Sequence, residues 1–513
     1  MRQTHCLRLA LCLSFFTVLN RLPAQNAPAE DLRQQLQLLQ QQIQQMRQEH
    51  SAAMHRMQAE IQELKARATQ APAAAAAAVP AVVAGQNTAR LLQPGAGDPA
   101  PAGDSRAEDL LERFIQQHAA PVLPAKVADS LSLDASVVID AYYHRDGSRE
   151  GISHLKEHIS GFGHHHHGHE HGVIENGFNL RHIELGLSAA VDPYFTAWTT
   201  LAFEHQEGVE VEEAVVQTTS LPWNLTLAAG RFMSGIGRLN RQHSHNWDFI
   251  DTPLVYEKLF GGHGVTETGL QLTWLAPTPF YMLFGVEAAN GENELLSNSI
   301  GGEELPEHDG PRLWTAFMKV SPNLGPRHDL QLGLSWLKAR NQEQHDEDED
   351  ELPDLWLDGS SQVYGADFVY KYNAQKAHGH GDFTLQAEYF QRKKSLQVEN
   401  SLLASDLTGH HRLDWQDGYY LQAAYGILPR WRLGLRWEEV GIRNDSSFPD
   451  GQNADFGASN RATAMLDWKL SEFSLLRLQT GRSNYHTEEG RQKAWELGLQ
   501  IQISIGEHKA HDF

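Results

Sequence analysis

Two stretches of the chain carry side chains able to do chemistry. The first is GFGHHHHGHEHG, Gly161 to Gly172, which places His164, His165, His166, His167, His169 and His171 between glycines. Neutral imidazole is a favoured ligand for Zn²⁺, Ni²⁺ and Cu²⁺. A rigid structural zinc site uses few ligands in one fixed geometry. This segment has too many donors for that and fits weak, exchanging capture. Just upstream, HLKEH sets His154 and His158 four residues apart, on one face if that segment is helical. The second stretch runs from Gly230 to Gly264 and contains His243, His245, Asp248, Asp251 and His263. It also holds Trp247, Phe249, Leu254, Tyr256, Leu259 and Phe260, too apolar for a solvated loop. A connection this long is functional or disordered. The apolar content predicts that it folds inward as a constriction, with its histidines and aspartates turned toward a lumen.

The elements that position these stretches are strands. From about Leu131 onward the pattern has period two, as in LDASVVIDAYYHR, WRLGLRWEEVGIR and AWELGLQIQISIG. One parity is apolar or aromatic, the other small, polar or charged, so each strand has two different faces. Weaker candidates lie at Ile183 to Val191, Val209 to Thr219 and Arg312 to Val320. Counting them gives about 16 strands, an even number as bacterial outer-membrane barrels favour. The strands are long enough to cross a bilayer when tilted. Short turns such as VDPY and ILPRW alternate with long polar connections, and Trp and Tyr recur near strand ends. The expected fold is therefore an all-β, antiparallel, transmembrane outer-membrane barrel over residues 131–513. A barrel of that size encloses a water-filled lumen.

Three further segments precede it. Residues 1–24 have Arg2 and Arg8, an apolar run from Leu9 to Leu19 and small residues near Ala24, the layout of a secretory signal peptide. Its apolar run is shorter than the ~20 residues of a spanning helix. The chain's 2 cysteines, Cys6 and Cys12, both lie there, so cleavage would leave no thiolate for catalysis, disulfides or metal. Residues 25–70 read as a coiled-coil helix: Leu32, Leu36, Leu39, Ile43 and Met46 form a heptad seam that shifts at Met54 and continues to Leu64. Such a stripe needs partner helices, which a homotrimer would supply, and a contact with the cell wall through the coil is a separate expectation. Residues 71–130 are rich in Ala and Pro and read as a linker.

The whole layout resembles porins of the phosphate-selective type. The segment AAGRFMSGIGRLNRQHSHNWDFIDTPLVYEKLFGGHG is more specific. It resembles a group of porin-like outer-membrane proteins known as zinc-regulated receptors, which have His-rich loops and an AH-x-F ending, here Ala510, His511, Asp512 and Phe513. The resemblance implies an outer-membrane channel for zinc and recognition of Phe513 by the barrel-insertion machinery. The label of TonB-dependent transporter, attached to such proteins, does not suit this chain. A plug domain is a compact fold, and the space before Leu131 reads as coil and linker.

The expected function is uptake of divalent metal, with zinc the best match, through an outer-membrane channel, with lipid as its surroundings and no tightly bound cofactor. Candidate metal ligands are His154, His158, His164 to His167, His169, His171, His243, His245 and His263. The net charge of −23 speaks against nucleic acid and for gathering cations. Acidic and histidine loops QEQHDEDEDELPD, AHGHGD and TGHH are expected to share one rim. No enzymatic constellation stands out. Two rivals remain: a general or anion porin, phosphate included, with incidental histidines, and an envelope tether acting through the coil.

Overall fold

The computed structural model describes residues 133–148, 151–162, 175–204, 208–300, 305, 308–345, 355–401 and 405–506. The signal peptide, the coil, the linker, His164 to His171 and Phe513 lie outside these residues.

Seventeen strand segments follow one another: β1 (Leu133–Asp146), β2 (Gly177–Ala190), β3 (Phe195–Glu204), β4 (Gly208–Thr218), β5 (Leu225–Met233), β6 (Thr266–Leu275), β7 (Tyr281–Ala289), β8 (Leu313–Ser321), β9 (His328–His345), β10 (Leu355–Tyr372), β11 (Phe383–Ser401), β12 (His411–Leu428), β13 (Trp431–Ser447), β14 (Asn453–Asp455), β15 (Ser459–Lys469), β16 (Ser474–Thr487) and β17 (Gly490–Gly506). Each pairs antiparallel with its neighbour in sequence, and β1 pairs with both β2 and β17, so the sheet closes. β14 and β15 both pair with β13 and form one interrupted stave, which makes 16 staves from 17 segments. Closure leaves no unpaired sheet edge, the condition for strands to cross hydrocarbon.

The faces are inverted relative to a soluble protein. Along β17, Leu497, Leu499, Ile501, Ile503 and Ile505 are exposed on the outside, while Glu496 and Gln500 are buried within. Apolar residues outside and polar residues inside mean that the outer solvent is lipid. No helix among the described residues is long and apolar enough to cross a membrane. The chain spans the outer membrane as a barrel.

One end carries short turns such as 191–194 and 429–430, and the other carries the long connections 147–176, 234–265 and 290–312. The short-turn end is periplasmic and the long-loop end extracellular by the general rule for such barrels. Strands β3 to β8 have 9 to 11 residues and just span the membrane. Strands β9 to β13 have 17 to 19 and rise beyond it. The expectation of one shared rim fails for AHGHGD, because residues 377–382 lie in the β10–β11 turn at the short-turn end. An even number of crossings separates two connections on one rim, and the acidic connection after β9 is only one crossing away.

Connection 234–265 turns inward. Its ends are tied by the Ser234 amide, which donates to the Val265 carbonyl at 2.9 Å. Within it, α2 (Leu254–Phe260) buries Leu254, Val255, Tyr256, Leu259 and Phe260 against Phe390, Tyr420 and Val440 of the inner wall. Ile152 of α1 (Ile152–Glu157), from connection 147–176, joins the same cluster. Each such side chain fully buried contributes about 1.5–3 kcal/mol. Part of the lumen is thus filled by an apolar core.

Candidate metal centre

The inward loop is fastened to the wall strand by strand. The Gly235 amide donates to Glu287 on β7 at 2.8 Å, and the Arg238 and Leu239 amides donate to Glu388 on β11 at 2.7 and 2.9 Å. Gly237 takes a φ of 58° between them, and a Cβ there would collide with Glu388 and the Tyr256 hydroxyl. Further on, the Ile250 amide donates to Gln479 on β16 at 2.8 Å and the Leu254 amide to Glu438 on β13 at 2.9 Å. Asp248 pairs with Arg432 at 2.5 Å. Asp251 pairs with Arg436 at 2.9 Å, Arg461 at 2.5 Å and Lys156 of α1 at 3.6 Å. Burial alone would raise the Asp251 pKa, but Arg461, Arg436 and Lys156 outweigh it and hold the carboxyl well below its ordinary range. These two aspartates, expected to face the lumen, anchor the loop to its wall: arginines on β13 and β15 hold them.

Between these anchors the loop reaches β2 and β4, and here the chemistry concentrates. His243 Nδ1 donates to Glu212 and Nε2 to Glu213, each at 3.1 Å. Both nitrogens donating requires imidazolium. Burial lowers the His243 pKa, but the bonds to Glu212 and Glu213 and the charge of Glu184 hold it well above the ordinary value. His245 Nδ1 lies 2.9 Å from Glu184, and Asn246 Nδ2 lies 2.9 Å from its Nε2. His182 Nε2 lies 3.8 Å from Glu184 and 3.3 Å from the Ser244 hydroxyl. The His243 and His245 rings stack at 5.7 Å between centroids.

Ligand atoms of Glu184, Glu212 and His243 all lie within 4.8 Å of one another. Carboxylates that close repel by about 3 kcal/mol per pair at an effective dielectric of ~20. One imidazolium among Glu184, Glu212 and Glu213 leaves net negative charge, which a divalent cation would neutralise. Imidazole and carboxylate without thiolate suit zinc and its neighbours among the divalent transition metals.

Two β-bulges build this centre. On β4, Val209 and Val211 face outward, yet Val216 is also outward while Val215 is buried, so parity flips between them. The register shifts opposite Thr200 and Leu201, leaving Glu212 as the extra residue, and Glu212 and Glu213 both point inward. On β2, Phe178 and Leu180 are exposed outside, whereas His182 and Glu184 are buried inside. The register shifts opposite Asp140 and Ala141, with Arg181 extra. Sequence reading found His243 and His245 but not His182, Glu184, Glu212 or Glu213. The signal was present: in FNLRHIELG the apolar parity changes between Leu180 and Ile183, and the doublet in VEVEEAVV interrupts alternation.

The other predicted ligands are elsewhere. His263 is partly exposed and lies 4.0 Å from Glu210, one step outward along β4 from Glu212. His154 and His158 stack at 3.9 Å on α1, and the His158 ring bonds to the His154 carbonyl at 2.9 Å. His164 to His167, His169 and His171 fall outside the described residues.

Comparison with known proteins gives one relative in sequence. It is a protein of Aquifex aeolicus (strain VF5) known only as an uncharacterized protein, 36% identical over 397 residues that cover 74% of this chain and 80% of the other. This chain belongs to its family. No family model matches the chain. Solved structures similar to it include the loop L8 deletion mutant of OmpT, an outer membrane protein of Vibrio cholerae, at 10% identity and TM-score 0.46, covering 74% of this chain and 100% of that one. The outer membrane channel DcaP of Acinetobacter baumannii has 13% identity and TM-score 0.46, with coverage of 73% and 97%. The anion-selective porin from Comamonas acidovorans has 10% identity and TM-score 0.44, with coverage of 73% and 100%.

Proposed function

We propose that this member of the family is a porin-like channel for uptake of divalent metal, with zinc the ion that its donor set fits. The observation that carries the reading is the meeting of His182, His243 and His245 with Glu184, Glu212 and Glu213 at the lumen wall. A conducting site must bind well enough to admit an ion and weakly enough to release it. Here the ion competes with the His243 proton, so binding stays reversible. Glu210 and His263 stand one step outward and would receive the ion first. The histidines from His164 to His171 would gather it from dilute solution. Assembly as a homotrimer and insertion through Phe513 belong to the same reading.

An anion channel is the second reading, and one observation favours it: Arg392, Arg432, Arg436, Arg461 and Arg477 line the inner wall. Four of them are held by carboxylates, namely Asp248, Asp251, Glu438, Asp467 and Glu496. Arg392 donates to the Leu259 and Leu295 carbonyls, both at 3.1 Å. A guanidinium so engaged has little left to offer a passing phosphate. The test is a reversal-potential measurement on the purified protein in planar bilayers, with zinc chloride and sodium phosphate gradients compared. Cation preference with zinc permeation is expected. Anion preference with phosphate permeation would replace this reading by the second.

A further inference from the structure

The outside of the barrel holds a second arrangement that metal passage does not use. On β17 the outward residues Trp495, Leu497, Leu499, Ile501, Ile503 and Ile505 form an unbroken exposed stripe, with Trp495 at 59% exposure. Toward the extracellular end the same face continues as Lys493 and Arg491, both exposed. On one side, Arg482 of β16 stands in register with Trp495, its guanidinium carbon 5.2 Å from the ring centroid. On the other, Arg145 of β1 stands in register with Leu497 and is exposed, while His144 beside it is buried inward. None of Arg145, Arg482, Arg491 and Lys493 has a carboxylate partner among the described residues. Glu488 and Glu489 sit farther out, in the β16–β17 turn.

The contrast with the lumen is direct. There, Arg432, Arg436, Arg461 and Arg477 are matched to carboxylates. Here, four cations on three adjacent strands are left unmatched and stand at one end of a lipid-facing stripe. Indole favours the border between hydrocarbon and water, so Trp495 marks the level of the headgroups. Guanidinium presents a fork of donors that matches phosphate oxygens in pairs. An amphiphile with phosphate above several acyl chains would satisfy both halves of the surface: phosphate on the cations, chains on Leu497 to Ile505.

We propose that the β16–β17–β1 wall docks a phosphorylated glycolipid of the outer leaflet, of the lipid A class. A second copy related by a two-fold axis is a poor occupant, because pairing this surface with itself would bring like charges together, and a trimer seam between different faces is an outcome of the test below.

The full chain, purified from outer membranes in neutral detergent, tests the proposal by the lipid A that it retains and by its affinity for added lipid A. The variant Arg145→Ser/Arg482→Ser/Lys493→Ser is expected to bind at least about tenfold more weakly, the equivalent of one charge-assisted hydrogen bond. Dephosphorylated lipid A should bind wild type and variant alike, and added salt should release the phosphorylated form from wild type. Equal retention of phosphorylated lipid by variant and wild type overturns the proposal. So does displacement of the lipid by millimolar inorganic phosphate, which would make the cluster a free-anion site. A variant that keeps its lipid but loses its oligomer also overturns it, in favour of contact between copies. Should the variant fail to fold, wild type alone decides. In phosphatidylethanolamine vesicles, phosphorylated lipid A should raise the temperature at which the barrel unfolds and the dephosphorylated lipid should not; equal effects reject the proposal.

Discussion

The inward loop is held differently on its two sides. Toward β7 to β16 it rests on an apolar core and on arginine–carboxylate pairs, with Leu254 and Arg461 fully buried and Arg461 reaching Asp251, Glu438 and Glu496. Toward β2 and β4 it is held by imidazoles on carboxylates. The first kind of contact has no state to change near neutral pH, because guanidinium keeps its proton and hydrocarbon has none. The second is built of groups that can exchange protons and, in the proposed function, metal. One side therefore fixes where the loop lies, and the other makes its tip, residues 241–247, responsive to what is dissolved in the lumen.

The largest effect should come from the fixed side. Arg461→Ala leaves Asp251, Glu438 and Glu496 buried around an empty place, a loss on the order of 3–5 kcal/mol. The loop should detach, and trypsin should then cut at Arg238, Arg241 or Lys258 while the barrel resists. Unchanged protection would mean that the apolar core holds the loop without the arginine.

Next comes the responsive side. His243→Ala should weaken zinc binding, read by calorimetry, by no less than the roughly 10–100-fold that loss of an outer-shell partner costs. Its loop should stay protected from trypsin, since the anchors are intact. If zinc binding survives, the centre is a structural ion-pair cluster and the comparison collapses.

The pH dependence sharpens the point. The His243 pKa is raised in the folded protein, so its imidazolium contributes stability that is complete below the unfolded value near ~6.5 and is lost as pH rises through the folded value. Without metal, the protection of residues 241–247 from hydrogen exchange, taken relative to the base-catalysed intrinsic rate, should fall as pH rises above neutrality, while that of residues 250–260 should hold. Zinc, which needs the deprotonated ring, should bind more tightly over the same rise and slow the exchange again. Protection that ignores both pH and zinc contradicts the assignment.

The smallest effect is expected at the rim. His263→Ala removes a partly exposed ring 4.0 Å from the Glu210 carboxylate, and exposed pairs contribute about 0–1 kcal/mol. Zinc affinity at the centre should change less than about threefold, while uptake at limiting zinc falls slightly. A large loss of affinity would place His263 among the ligands.

The strands were legible in the sequence because lipid outside and water inside impose opposite demands on alternate residues, and KAWELGLQIQISIG states both. Even the weak candidate at Val209 to Thr219 is a strand, β4 (Gly208–Thr218). The inward turn of 234–265 was legible too, since Trp247, Phe249 and Leu254 have no stable place in water. The fate of individual polar side chains was not. Asp248 and Asp251 read only as facing the lumen, yet Arg432, Arg436 and Arg461, far later in the chain, claim them. His243 and His245 read as ligands without partners.

By itself, then, the sequence determined the barrel, its inverted faces, the inward loop and the abundance of imidazole. Those properties follow from local periodicity and composition, and every neighbour they depend on lies within a few residues. Only the tertiary structure decided which carboxylates meet which histidines. A bulge moves one residue and turns every later side chain to the other face, so the inward aim of Glu184 and Glu213 depends on pairing with a neighbouring strand. The centre exists because β2, β4 and the loop tip, far apart along the chain, are brought together by the closing of the sheet.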